Sequence, residues 1–178
     1  MSELNGMSPS ATRAVAAPAQ PQQYLTFMLG GETYAIGILS IKEIIEYTDV
    51  TDVPMMPPYL RGVINLRGSV VPVVDLSVRF GRPSSPVNKR TCIVIIEIRV
   101  GGERHDIGLV VDAVNAVLEI AAEDIEPAPS FGTSIRTDFI QGMGKVNGKF
   151  VILLEMDHIL AFEEMQRLGA AGMGVESH

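Results

Sequence analysis

The residues of this chain that could carry chemistry are few and far apart. Its three histidines are His105, His158 and His178. They fall on a turn-strand, a terminal helix and the chain end, and none has a cysteine or carboxylate at the spacing a zinc site needs, so they read as surface histidines. Cys92, the single cysteine, lies within an apolar run and reads as packing. No Gly-x-Ser-x-Gly elbow is present to expose a nucleophilic serine. The run Gly142-Met143-Gly144-Lys145-Val146-Asn147-Gly148-Lys149 has the composition of a phosphate loop. Its glycine spacing is wrong for one, and Phe150 stands where a Ser or Thr would hold magnesium. Asp49, Asp52, Glu123, Asp124 and Glu126 read as solvated loop acids. Nothing assembles nucleophile, base and electrophile. The expectation is a protein with no catalytic residue, no metal and no cofactor.

What is left is recognition chemistry, in two places. Met55-Met56-Pro57-Pro58-Tyr59-Leu60 is an apolar loop. It reads either as a cover folded over the core or as a binding patch, because Met and Tyr recur at adaptable interfaces. The second place is Arg67. It precedes Gly68 between two strongly β-forming arms, where a tight type I′ turn asks the first residue for φ > 0. Asparagine tolerates that conformation and arginine does not favour it. Arg67 is therefore either an ordinary residue in a different turn type or an interface anchor, and the second reading is preferred.

The elements that position these residues come from a repeat. Arg61 to Leu76 reads as a hairpin turning at Arg67-Gly68. Residues 60–76 match 140–156 at a constant offset of 80: Leu60 with Ile140, Gly62 with Gly142, Gly68 with Gly148, Val71 with Val151, Asp75 with Glu155. Upstream, Leu29-Gly30-Gly31-Glu32 and Ile36-Gly37-Ile38 match Val100-Gly101-Gly102-Glu103 and Ile107-Gly108-Leu109 at an offset of 71. Both pieces recur in the same order, so the chain is an internal duplication of a unit of about five short strands. Tyr24 to Leu29 and Thr33 to Ile38 form one hairpin. Thr91 to Val100 is a strand buried on both sides, and Asp106 to Val111 and Ala116 to Ile120 continue its sheet. Ile41 to Tyr47 fits either a helical turn or a strand. Pro72 cannot donate to a ladder, which predicts an edge strand or a bulge. Asn147-Gly148 is a strong type I′ signal. Asp157 is a candidate cap for a short C-terminal helix carrying Ile159, Leu160, Met165 and Leu168 on or near one face.

The fold class that follows is all-β: two small five-stranded barrels, since closure removes exposed strand edges. The expected boundaries are a disordered extension over 1–22 and a folded region over 23–168. Within it the first barrel spans about 24–88 and the second about 89–160, with the first strand free to cross over. A fraying tail covers 169–178. Hydrophobic residues make up 47% of 178 residues, enough for a core. No apolar run reaches the length of a membrane span. The net charge of −7 disfavours nucleic acid, which needs clustered Lys and Arg. A lone thiol suits a reducing cytoplasm.

Taken together, the Tyr34-Ala35-Ile36 strand, Ile41-Lys42-Glu43-Ile44, the whole Arg61 to Leu76 block, Gly108-Leu109-Val110-Val111-Asp112 and the Pro127-Ala128-Pro129 loop resemble the CheW family, the coupling proteins of bacterial chemotaxis. The 61–76 block is shared with the regulatory domain of the CheA kinase. The resemblance implies two SH3-like barrels with a hydrophobic groove between them. It also implies a cytoplasmic, non-catalytic adaptor linking the tips of methyl-accepting chemotaxis receptors to CheA, recruited to membrane arrays by protein contacts alone. The receptor-facing residues it implies are Ile41, Glu43, Ile44, Arg67, Cys92, Ile93, Gly108 and Val117. The kinase-facing set is Met55, Met56, Tyr59, Leu60 and Gly62. A receiver domain of the CheV kind and the catalytic modules of a kinase are not expected. The reading from a different class is a ligand-binding or enzymatic β-barrel, which would need convergent polar groups in a pocket.

Overall fold

The computed structural model describes residues 21–128 and 136–160. Of the extension expected to be disordered over 1–22, residues 1–20 lie outside those described and Gln22 opens the first strand; the tail, with Met165 and Leu168, and Pro129 also lie outside. The strands are β1 (Gln22–Leu29), β2 (Glu32–Gly37), β3 (Ile41–Glu46), β4 (Leu60–Leu66), β5 (Ser69–Asp75), β6 (Cys92–Val100), β7 (Glu103–Val111), β8 (Ala113–Ile120), β9 (Ile125–Glu126), β10 (Ile140–Val146) and β11 (Lys149–Leu154). Two one-turn helices, α1 (Leu76–Arg79) and α2 (Met156–Ile159), follow the last hairpin of each repeat. Ile41 to Glu46 resolves as strand: its burial alternates residue by residue, and β-branched residues favour a pleated, half-buried surface.

The strands form two sheets. One has the order β3-β6-β7-β5-β4 and the other β8-β1-β2-β11-β10-β9. The short β9 has a counterpart in the first sheet. Glu126 pairs with Met143, and the isolated bridge Thr51–Val63 sits at the equivalent place. The turns of the two repeats agree in detail. Both carry a register shift, at Leu60/Gly62 and at Ile140/Gly142. In both, the residue after the hairpin donates to the residue before it, Asp75 N to Tyr59 O and Glu155 N to Phe139 O, each at 2.7 Å.

The sheets do not divide at residues 88 and 89 as expected. The hairpin that opens each repeat joins the sheet of the other. β1–β2 packs with β8 to β11, and β6–β7 packs with β3 to β5. Each exchange is sealed by one parallel ladder, β11 to β2 and β5 to β7. The five-stranded barrel therefore runs from β3 to β7, residues 41–111, and its partner takes both ends of the chain. This interleaving leaves the core continuous. A large apolar cluster, including Tyr34, Ile36, Leu76, Phe80, Ile96, Leu109, Phe139 and Ile159, lies between the sheets. Smaller clusters fill the interior of each barrel.

Two local expectations change. β5 is not an edge strand, since β4 and β7 flank it. Val63 exchanges both backbone hydrogen bonds with Thr51, at 2.8 and 2.9 Å, so it faces Pro72 without needing its N–H. The missing donor falls on the β7 side, where the ladder begins only at Val73. The N-cap of α2 is Glu155, not Asp157, and no side chain bonds the free N–H groups there.

Candidate functional site

The seam that closes the five-stranded barrel brings the recognition residues together. β3 and β4 are the outer strands of that sheet, and three contacts join them. The first is the Thr51–Val63 bridge. The second is Arg67, whose guanidinium hydrogen-bonds the Glu43 carboxylate. That partnership raises the Arg67 guanidinium above its ordinary pKa. The third is Arg61, discussed below. Arg67 has φ 52° and Gly68 φ 88°, in parallel with Asn147 at 52° and Gly148 at 79°. Both are two-residue turns, closing Leu66 on Ser69 and Val146 on Lys149. The two-φ signature is that of type I′, so Arg67 occupies the unfavoured backbone after all. Its side chain stays largely in solvent, 69% exposed.

Around this seam the structure gathers most of the residues assigned to a receptor, in two layers. Ile41, Glu43 and Ile44 lie on β3. Cys92 and Ile93 lie on the neighbouring β6, opposite Glu46 and Ile45, and Gly108 lies on β7 opposite Ile95. Ile44 is exposed, and Glu43 and Ile41 are half-buried. Ile93, by contrast, is fully buried, and Gly108 is buried against it. A Cβ on Gly108 would stand 2.7 Å from Ile93 Cγ2. These two residues cannot touch a partner, and they shape the surface from beneath. Cys92 is half-buried, and burial, aided by Glu46, pushes its thiol pKa up, which opposes nucleophilic use. Val117 is exposed but belongs to β8 in the other barrel.

The loop assigned to the kinase divides between both of its readings. Met55 projects fully into solvent with φ 64°. Met56 and Tyr59 pack on the central core, and Leu60 is 8% exposed within it. Gly62 is buried with φ +147°, and a Cβ there would fall 2.1 Å from Thr51 O. The backbone bridge behind it dictates glycine at this place.

One group of functional side chains escaped the sequence reading. Asp75 is 3% exposed and caps α1, accepting from Val78 N. Arg61 donates to it at 3.0 Å, and also to Tyr47 Oη, Ser84 Oγ and Ser85 O at 2.8, 2.7 and 3.2 Å. Ser84 Oγ donates to Asp75 at 2.6 Å. A buried carboxylate needs such pairing to remain charged. The cluster ties the end of β3, the start of β4 and the 81–90 segment to one point. The only sequence signal was asymmetry between the repeats: Arg61 faces Gln141 at the offset of 80.

Between the sheets lies an open cleft of about 930 Å³, lined among others by Ile36, Leu39, Lys42, Arg99, Arg104 and Met156. None of the residues assigned to either partner lines it. Its floor is apolar, with Ile36, Ile96, Ile98, Leu154, Met156 and Leu160, and Lys42, Glu97, Arg99, Arg104, Glu155 and Asp157 add charged groups to the lining. Among the described residues no group of His, Cys, Asp and Glu could hold a metal ion, and no helix is long and apolar enough to cross a membrane.

The family model of the CheW-like domain matches residues 23–164. The chain belongs to the CheW family. It is 38% identical over 144 residues to the chemotaxis protein CheW of Klebsiella aerogenes, covering 81% of this chain and 84% of that one. It is 31% identical over 145 residues to the chemotaxis protein CheW of Rhizobium meliloti, covering 82% and 91%. A crystal structure of the scaffolding protein CheW from Thermoanaerobacter tengcongensis superposes with a TM-score of 0.72 at 33% identity, covering 81% of this chain and 90% of the other. The two-sheet architecture described above is thus the CheW fold, and this CheW-family chain is a chemotaxis coupling adaptor. The reading as an unrelated ligand-binding or enzymatic barrel is not favoured.

Proposed function

We propose that this chain binds the cytoplasmic tips of methyl-accepting chemotaxis receptors on one surface and the regulatory domain of the CheA kinase on another, without catalysing a reaction. It does so in the cytoplasm and reaches the membrane arrays through protein contacts. The receptor-facing surface is the barrel seam: Arg67, Glu43, Ile44 and Ile41, with Cys92 beside them and Val117 on the second barrel. Ile93 and Gly108 support it from the interior. The kinase-facing surface centres on Met55, with Met56, Tyr59 and Leu60 anchoring its loop and Gly62 seating it. The observation that carries this reading is Arg67. It holds an unfavourable backbone conformation at an exposed turn, where Asn147 meets the same requirement in the other repeat. An exposed guanidinium held in place by the Glu43 carboxylate is a typical interface anchor.

The test is Arg67→Asn, which copies the second repeat's turn. The fold is retained, with an unchanged or slightly raised melting temperature. Affinity for a receptor-tip fragment falls about tenfold, as on loss of an arginine anchor, and affinity for the kinase regulatory domain is unchanged. Unaltered receptor binding and unaltered kinase activation in the reconstituted complex would make Arg67 a simple turn residue.

A further inference from the structure

The two barrels meet at a point where the internal symmetry is broken by one side chain. At an offset of 80, Tyr59 corresponds to Phe139, Arg79 to Ile159 and Phe80 to Leu160. The backbone follows this correspondence closely. Phe80 N donates to Leu76 O and Leu160 N to Met156 O, at 2.9 and 2.8 Å. The side chains do not follow it. Arg79, at the end of α1, reaches across and donates from Nε to the carbonyl of Ile159, its own counterpart, at 2.8 Å. That carbonyl closes α2, and the last carbonyls of a helix have no partner within it. Along the way the guanidinium lies over two rings. Its carbon is 5.3 Å from the centroid of Tyr59 and 4.7 Å from that of Phe139. Tyr59 and Phe139 are the paired aromatic residues that precede the two hairpins. Arg136 covers Phe139 as well, at 4.5 Å, and Phe139 in turn packs on Phe80 at 5.8 Å. Cations over aromatic faces gain strength when partly desolvated. One residue thus touches the loop before β4, the turn before β10 and the end of α2.

We propose that Arg79 is a pin that holds the two barrels at one mutual angle, acting as a positioning residue for any partner that spans both. The remaining junction is mainly apolar packing between curved surfaces, which resists separation but is indifferent to small rotations; its other directional contacts lie on β1, β2 and their turn, where Arg82 donates to Glu32 and Tyr34 Oη at 2.9 and 2.8 Å. A directional hydrogen bond through a stack of two rings is not indifferent to rotation. The consequence rests on the function proposed above: a receptor tip contacting both Ile44 on β3 and Val117 on β8 needs the two barrels in register, whereas a partner held by the Met55 loop needs only one.

The pin is tested directly by the distance between nitroxide labels on Ser69→Cys and Lys149→Cys, equivalent exposed positions on the two barrels, in a Cys92→Ser background. Double electron–electron resonance gives a single narrow distribution with Arg79. With Arg79→Met, which keeps the stem over the rings but loses the donor and the charge, the distribution broadens or shifts. Arg79→Lys, which keeps the charge and loses the planar donor geometry, gives an intermediate width. If both substitutions leave the distribution narrow and unmoved, the pin is refuted. In the unlabelled protein, Arg79→Met weakens the receptor-tip fragment roughly fivefold, by loss of preorganisation, with the melting temperature as the control for overall stability. A fall in receptor affinity that only tracks a fall in melting temperature would reduce Arg79 to general stabilisation. If the unsubstituted chain binds neither partner, the proposed function fails, while the distance measurement still decides the pin.

Discussion

Replacing Gly62 by alanine separates a folding role from a contact role at one of the residues assigned to the kinase. The added Cβ would stand 2.1 Å from Thr51 O, 2.8 Å from Thr51 C and 2.9 Å from Val50 Cγ1. Two of these atoms are backbone, so no rotamer change relieves the clash. The Thr51–Val63 bridge must open, and with it go two hydrogen bonds of 2.8 and 2.9 Å, at about 1 kcal/mol net each. Holding an alanine at φ +147° adds about 1–3 kcal/mol of strain. The sum is about 3–5 kcal/mol, near the upper end for single substitutions. For a domain of this size that lowers the melting temperature by about 10 °C. The measurement is urea unfolding of Gly62→Ala beside Gly142→Ala. Gly142 is the milder control, because its Cβ would meet the Ile125 side chain at 2.6 Å and a backbone oxygen only at 3.0 Å. Both receptor and kinase affinities should fall together, in proportion to the unfolded fraction. A Gly62→Ala protein within about 1 kcal/mol of the parent, with kinase affinity alone reduced, would refute the reasoning and restore Gly62 as a contact residue.

Gly108→Ala should destabilise by about 1–3 kcal/mol through overpacking against the β-branched Ile93, while the folded fraction binds receptor fragment with unchanged affinity. Selective loss of that affinity without loss of stability would contradict the interior placement. Tyr34 is pushed up to about 12, first by burial and then by its bond to Glu32. The unfolded phenol ionises near 10 and the folded one two units higher. Stability is therefore level in this residue below pH 10 and falls as the pH rises from 10 to 12. Tyr34→Phe should flatten that decline in chemical denaturation, and a decline of undiminished slope would place its origin elsewhere.

The candidate site was legible where local physics is strict. Arg67-Gly68 stands in a hairpin whose length and flanking strands demand φ > 0, so the odd residue was visible from the chain alone. Gly62 and Gly108 were visible as glycines of a repeated block but not as interior ones. What a glycine makes room for, the Thr51 carbonyl in one case and Ile93 in the other, is set by segments about 10 and 15 residues away along the chain. The Arg61–Asp75 cluster was hidden for the same reason, since its five members come from four separate segments.

By itself the sequence determined most of the strands, the duplication and the family. Each of these is written in short-range spacing: alternation along a strand, a glycine at a turn, a block repeated at 80 residues. The tertiary structure alone decided which repeat each hairpin joins. A strand edge offers the same row of N–H and C=O groups to either copy, and a duplicated sequence presents two nearly equivalent partners. The choice falls to packing between the sheets, and in the exchanged arrangement Tyr34 packs on Phe80 at 5.7 Å and Phe80 on Phe139 at 5.8 Å. That exchange puts Cys92, Ile93 and Gly108 on the same barrel as Ile44 and creates the junction that Arg79 spans.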